Sequence, residues 1–524
     1  MLLLILGLIS GIIAALICFS YVLIVIKCKQ KANVKVGETI QKFKQAAGPK
    51  PWPIIGNLHI VGRYAHPFAA FTELTAQYGD IYALSFGHTR CLVVNNLELI
   101  REVLNKNGKY FGGRPNFVRY DRLFGGDRKN SLALCDWSQL QQRRRNLARR
   151  HCSPRESTAY YVKMSDIGCT EAELLMQSLK YVISAGAAFD IKPWLLKACA
   201  NMFSQYMCSL RFAYDDAEFD KIVGYFDEIF WEINQGYALD FLSWLQPFYQ
   251  RHLSQISHWS STIRKFILYR VMQQRELDID LDEPDKDFTD ALLKSLVEHA
   301  NVSRNTIIFM LEDFIGGHSA VGNLVMLALA YIAKYPAIAS SIQAEIDVVT
   351  NKSERRVNLL DMPELPYTMA TLYEVLRYSS SPIVPHVATE DTQIAGHGVT
   401  TGTIIFINNY ALNTSAKYWD EPDQFRPERF LQQTERKLSA DSDSGIELSS
   451  PTYQLRKNLP HFLPFSIGKR TCIGQNLVRG FGFVLLANIL QDYHVGTDDA
   501  TKLKIYPASV ALPAKCFSLT FKPR

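Results

Sequence analysis

The chain carries little charge for its 524 residues: Asp, Glu, Lys and Arg make up 21% of it, against 48% hydrophobic and 12% aromatic residues. Wholesale disorder is thereby excluded, and there is enough apolar material to fill a core and line a pocket. No strongly basic arm exists. Lys and Arg are spread along the chain, so a net charge of +6 suits a basic patch for an acidic protein partner better than nucleic acid. There is no CxxC pair either. The ten cysteines stand unevenly at 18, 28, 91, 135, 152, 169, 199, 208, 472 and 516, which argues against a zinc site or a disulfide framework and for reduced thiols in the cytosol. No linker or internal repeat divides the chain, and one large domain is expected.

Charge is missing altogether from Met1 to Ile26, which is almost entirely apolar. As a helix it would run about 39 Å, enough to cross a hydrocarbon core of roughly 30 Å with some tilt. A cleavable signal would be shorter in its apolar part and basic at its start. Lys27, Lys29, Lys31 and Lys35 follow at once, so the positive-inside rule leaves the rest of the chain in the cytosol. Residues 1–26 therefore read as a transmembrane signal anchor and 27–56 as a basic, proline-rich hinge. Within the hinge, Gly48-Pro49-Lys50-Pro51-Trp52-Pro53-Ile54-Ile55-Gly56 restricts the backbone and removes amide donors, which gives a stiff elbow. An ordinary loop is the alternative.

Residues 57–524 remain as the globular domain. Alternation in Ile81 to Phe86 and in Thr89 to Val94 predicts a hairpin. Beyond it the periodicity is mostly helical. From Ser303 to Tyr335 an apolar pattern runs unbroken to Pro336, about 50 Å of helix and a spine for the domain. Strand-like segments return at Gln393 to Ile394 and Thr403 to Ile407, so the fold class is mainly α with a minor β part drawn from both ends of the chain. Ser439 to Pro451 is acidic, serine-rich and aperiodic, a disordered surface loop by composition.

The stretch Phe465-Ser466-Ile467-Gly468-Lys469-Arg470-Thr471-Cys472-Ile473-Gly474 carries the chemistry. Cys472 stands at the start of a helix-like run, where free amides and the helix dipole favour a thiolate able to ligate iron. Gly468 permits a sharp turn, Gly474 leaves room for a porphyrin face, Arg470 can pair with a propionate, and Phe465 can shield the sulfur. A buried structural cysteine is the bland reading. Against it, these residue types at these offsets would coincide by chance with odds on the order of one in ten thousand. The stretch resembles the haem-binding signature of the cytochromes P450, which implies that family's fold, a haem b cofactor and Cys472 as axial ligand, the thiolate favouring O–O cleavage.

Other segments extend the resemblance. Glu374-Val375-Leu376-Arg377 is similar to the family's ExxR helix and Phe425 to Phe430 to its PERF segment, implying a buried network of Glu374, Arg377 and Arg429. Trp137 resembles the tryptophan of the C-helix motif, but Gln141 stands where the family has arginine. Arg144, seven residues on, returns to the same face and is carried over as the propionate partner with Trp137. His386, after Pro382 and Pro385, resembles a further propionate position. The resemblance implies electrons from NADPH through a flavoprotein reductase, docked on a basic face of Arg143 to Arg150 with Lys469 and Arg470, and a place in the endoplasmic reticulum membrane.

The spine departs from the pattern. Phe314-Ile315-Gly316-Gly317-His318-Ser319-Ala320-Val321-Gly322 resembles the oxygen-binding segment, yet Ser319 and Ala320 replace its acid and alcohol. Gly317, His318 and Ser319 are the candidate oxygen and proton region. Either His318, Ser319, ordered water or a substrate hydroxyl delivers protons, or the chemistry needs no ordinary O–O scission. GGHSAVGN with Asn458 to Gly480 resembles the Spook and Spookier group of insect ecdysteroid-synthesis enzymes, implying a sterol substrate between 7-dehydrocholesterol and the ketodiol. A generalist oxidase of lipophilic foreign compounds and a haem-based ligand sensor without turnover are the rival readings.

Overall fold

The structure is a computed structural model that describes residues 43–524 apart from 185, 299–301, 435–451 and 507. The anchor at 1–26, the first part of the hinge and the 439–451 loop lie outside the described residues.

The hairpin forms as β1 (Ile81–Phe86) and β2 (Thr89–Val94), paired antiparallel with Ile81 opposite Val94. Alternation decides its facing, since Tyr82, Leu84 and Phe86 are buried while their neighbours are half-exposed. The sheet is completed from far along the chain by β3 (His386–Val387) and β4 (Ile404–Ile407), in the order β1-β2-β4-β3, with β4 parallel to β2. The elbow is no free spacer: the Ala83 amide donates to Ala47 O and the Asn57 amide to Ser85 O, so this stretch lies along β1.

The helices used below are α1 (Gln139–Cys152), α2 (Ala159–Ser184), α3 (Lys192–Cys208), α4 (Ala217–Asn234), α5 (Arg304–Ile315), α6 (His318–Lys334), α7 (Pro366–Ser379) and α8 (Gln475–Asp492). Fifteen of the seventeen residues of α6 are buried, and α8 buries a continuous run from Gly480 to Gln491. Helices this apolar all round belong at the centre of a bundle. Among the described residues, Arg304–Lys334 is the one stretch long and apolar enough to cross a membrane, but 83% of its most apolar window is buried inside the protein. It is the core spine.

That spine is two helices, not one. After Gly316, whose amide still donates to Glu312 O, i→i−3 bonds enter the ladder: the amides of Gly317, Ser319 and Ala320 donate to Phe314 O, Gly316 O and Gly317 O. Two glycines weaken a helix interior by about 1 kcal/mol each. What exploits them is aromatic packing, since a Cβ on Gly316 would come within 3.0 Å of the Phe226 ring of α4, and one on Gly317 within 3.1 Å of the Phe203 ring of α3.

Candidate active site

Cys472 lies in a tight loop whose closure is a backbone bond from its amide to Phe465 O, 2.9 Å. The turn depends on Gly468, at φ +75°, where a side chain would collide with Leu104 O. A Cβ on Gly474 would meet nothing within 4 Å among the described residues, so they leave the backbone beyond the cysteine with an open flank. The Cys472 side chain is itself exposed, while the seven other described cysteines are buried or half-buried. It nevertheless lies deep enough for burial to push its pKa up, against the Gly474 amide and the nearby Arg145 and Arg479. Metal ligation deprotonates a thiol outright, so an iron bound here would hold the sulfur as the thiolate.

A cluster of buried cations surrounds this loop. Its hub is the segment 111–114. Phe111 O meets His386 Nδ1 at 2.7 Å, Gly112 O accepts from the Trp137 amide and from Arg470 Nη2, and Gly113 pairs with Val387 of β3. Lys469 Nζ and the Arg470 guanidinium sit over the Trp137 ring at 4.9 and 5.4 Å. Arg114 donates to Ala133 O, Val384 O and Pro385 O at 3.0–3.2 Å. Burial and the neighbouring Arg470 and Arg145 push its pKa down to about 9, and burial with Arg470 lowers Lys469 to about 8. Arg470 Nε and Nη1, Arg145 Nε and His386 Nε2 are buried without a hydrogen-bond partner among the described residues. Buried cations facing one another are unfavourable unless an anion joins them. The two carboxylates of a haem fit that demand, and the exposed thiol beside them fits its iron.

Of the sequence candidates, Trp137, His386, Arg470 and the cysteine loop come together. Arg144 is turned elsewhere: its terminal nitrogens donate to Lys129 O, Asn130 Oδ1 and Thr306 Oγ1, tying α1 to the start of α5. Its neighbour Arg145 reaches Thr471 O beside Cys472 instead. The seven-residue spacing gave the right face of α1, which is buried at both Gln141 and Arg144, but the loop at 128–130 captures that guanidinium first. Arg114 and Arg145 were missed. Arg114 had a local signal in Phe111-Gly112-Gly113-Arg114-Pro115, an arginine between two glycines and a proline; Arg145 had none beyond its run.

Behind the loop, Glu374 accepts from Arg377 Nε and Nη2 at 2.7 Å each, from Arg429 Nε at 3.1 Å and from the Arg426 amide at 2.8 Å. Arg377 and Arg429 spend their remaining donors on the carbonyls of Asn413, Gln424, Asp420 and Glu421. All three charged residues are buried. The ExxR and PERF residues are therefore one network, which fixes α7 to the chain segment that leads into the cysteine loop.

At the break of the spine, His318 and Ser319 are fully buried, while Gly316, Gly317 and Ala320 remain partly accessible. The His318 ring stands edge-on to Phe226 at 5.4 Å, and burial lowers its pKa to about 4. Asp313, just before the break, was also missed, although an acid in an apolar helix was a readable signal. It accepts from the Leu132 amide at 2.6 Å, and burial raises it to about 6.

The sequence pattern of the family described as Cytochrome P450 matches residues 46–521. The chain is 64% identical to Cytochrome P450 307a1 of Drosophila melanogaster over 526 residues, 99% of this chain and 97% of that protein. It is 29% identical to Cytochrome P450 1A1 of Platichthys flesus over 88% of this chain and 87% of that one, and 28% identical to Cytochrome P450 1B1 of Mus musculus over 84% and 80%. A cysteine loop ringed by buried cations, the carboxylate network behind it and a family match spanning nearly every described residue have one common meaning: this chain belongs to the cytochrome P450 family.

Proposed function

We propose that this monooxygenase acts on a sterol in an early step of ecdysteroid synthesis, between 7-dehydrocholesterol and the ketodiol. The observation that carries the reading is the 64% identity to the Drosophila protein across 99% of the chain, which supports the Spook-type resemblance of the GGHSAVGN segment. The chain sits in the endoplasmic reticulum membrane through residues 1–26 and takes NADPH electrons from a flavoprotein reductase. Arg143, Arg149 and Arg150 are exposed along α1 and offer that reductase a positive face.

Bound haem would supply oxygen activation and insertion of one oxygen atom into the substrate. In this reading Cys472 ligates the iron, and Trp137, Arg470, His386, Arg114 and Arg145 hold the propionates. Phe465 and the Gly468 turn shape the loop around the sulfur, and Gly474 lets the ring approach the backbone. With Ser319 and Ala320 in place of an acid and an alcohol, the carboxylic acids of the spine next to its break are Glu312 and Asp313, which burial raises to about 8 and about 6.

Titrating the purified holoenzyme with 7-dehydrocholesterol-type sterols tests the substrate. A spin-state shift followed by one oxidised product with reductase and NADPH is expected. Turnover of many unrelated lipophiles instead would favour the generalist, and reduction without any product would favour the sensor.

A further inference from the structure

We propose that His318 is a positioning residue that braces the break in the spine helix, holding Gly316 to Ala320 in place by a side-chain bond to the Ile315 carbonyl across the altered backbone ladder. In a regular helix the Ser319 amide donates to Ile315 O; here it also reaches Gly316 O at 3.2 Å, in the i→i−3 pattern. His318 Nδ1 donates to Ile315 O at 2.7 Å. The ring therefore spans the altered ladder with a side-chain bond at the point where it changes.

The bond also fixes the state of the ring. A carbonyl only accepts, so Nδ1 carries the hydrogen and Nε2 is the bare nitrogen. Nε2 faces Ser319 Oγ at a long 3.5 Å. His318 and Ala320 are two residues apart, about 200° around a helix, so the imidazole points away from the accessible face and against Phe226. The next turn is anchored independently. Asn323 Nδ2 donates to Ser319 O and to Asp227 Oδ1, each at 2.8 Å, and Asp227 pairs with Lys192 at 2.6 Å, both buried. Asn323 Oδ1 accepts from the Leu512 amide, and Lys192 Nζ donates to Leu512 O. The turn after the break is thus pinned to α3, α4 and the C-terminal segment, and His318 braces the break itself. The ring therefore shapes the oxygen site rather than carrying protons to it.

Two measurements on the full-length protein test this, and neither needs a substrate, so their outcome is independent of the sterol assignment. In wild-type protein with ¹⁵N-labelled histidine, the His318 resonance should report the Nδ1–H tautomer; the Nε2–H tautomer or an imidazolium would overturn the proposal. Amide exchange in a peptide covering Ser319 and Ala320 should quicken about tenfold in His318→Phe, which keeps the aromatic contact without the donor. It should return to within about threefold of wild type in His318→Asn, whose amide can donate to the same carbonyl. Unchanged exchange in His318→Phe, or equal loss in both variants, would reduce the ring to packing. A third check uses the loaded enzyme: His318→Asn should keep the wild-type pH profile, and disappearance of an acid limb would make the ring a proton carrier and contradict the proposal.

Discussion

Glu374 holds two guanidiniums and a backbone amide at once, so its removal would strand two buried cations. Glu374→Ala is expected to lower stability by about 3–5 kcal/mol, read from denaturant unfolding. Arg377→Lys should fail to restore wild-type behaviour, because an ammonium cannot make the bidentate contact. Around the cysteine loop, Arg470→Ala should speed haem transfer to an acceptor globin roughly tenfold to a hundredfold, the worth of a charged hydrogen bond. His318 gives a pH signature. Its pKa falls from the usual range to about 4 on folding, so the unfolded chain binds a proton that the folded one refuses. Stability is then fully present above the unfolded pKa and declines as pH drops from about 6.5 to 4, by up to about 3 kcal/mol. Paired unfolding curves of wild type and His318→Asn should converge or cross over that window, and a constant gap would count against the buried neutral ring.

Among the elements, the spine offers a test in which two effects oppose each other. Gly→Ala inside a regular helix stabilises by about 1 kcal/mol. At Gly317 the new methyl would lie 2.9 Å from Phe314 O and 3.1 Å from the Phe203 ring, and overpacking costs about 1–3 kcal/mol. Gly317→Ala is expected to lower the melting temperature, and a rise would show that the break is soft. This element also marks the limit of what the sequence discloses. The hairpin was legible to the residue because alternation along β1 and β2 is local, and the cysteine loop because Gly468, Arg470 and Cys472 act within one turn. Glu374 and Arg429 lie far apart in sequence and became legible as partners only through resemblance. The break was not legible, since apolar periodicity runs straight through GGHSAVG; what opens it are rings from α3 and α4 and a side-chain bond at Ile315. Likewise Arg144 and Arg145 are equivalent in composition, and only the fold of residues 128–130 sends one to Thr306 and the other to Thr471.

At the scale of the whole molecule, the buried helices α6 and α8 carry the fold while the hairpin sheet, α1 and the cysteine loop assemble the site between them. The basic face of α1 lies beside that loop, which is where an electron donor would dock. Reversing charge at Arg149 and Arg150 should slow reduction by an acidic flavoprotein on the order of tenfold at low salt, with little change in melting temperature, and added salt should shrink the difference. All of this depends on Cys472 binding iron as a thiolate. The reduced, carbon monoxide-bound difference spectrum of the full-length protein tests that most directly. A Soret band at the red-shifted thiolate position, abolished in Cys472→Ala, is the expected result, and a band at the position of histidine-ligated haem, or one that survives the substitution, would contradict it.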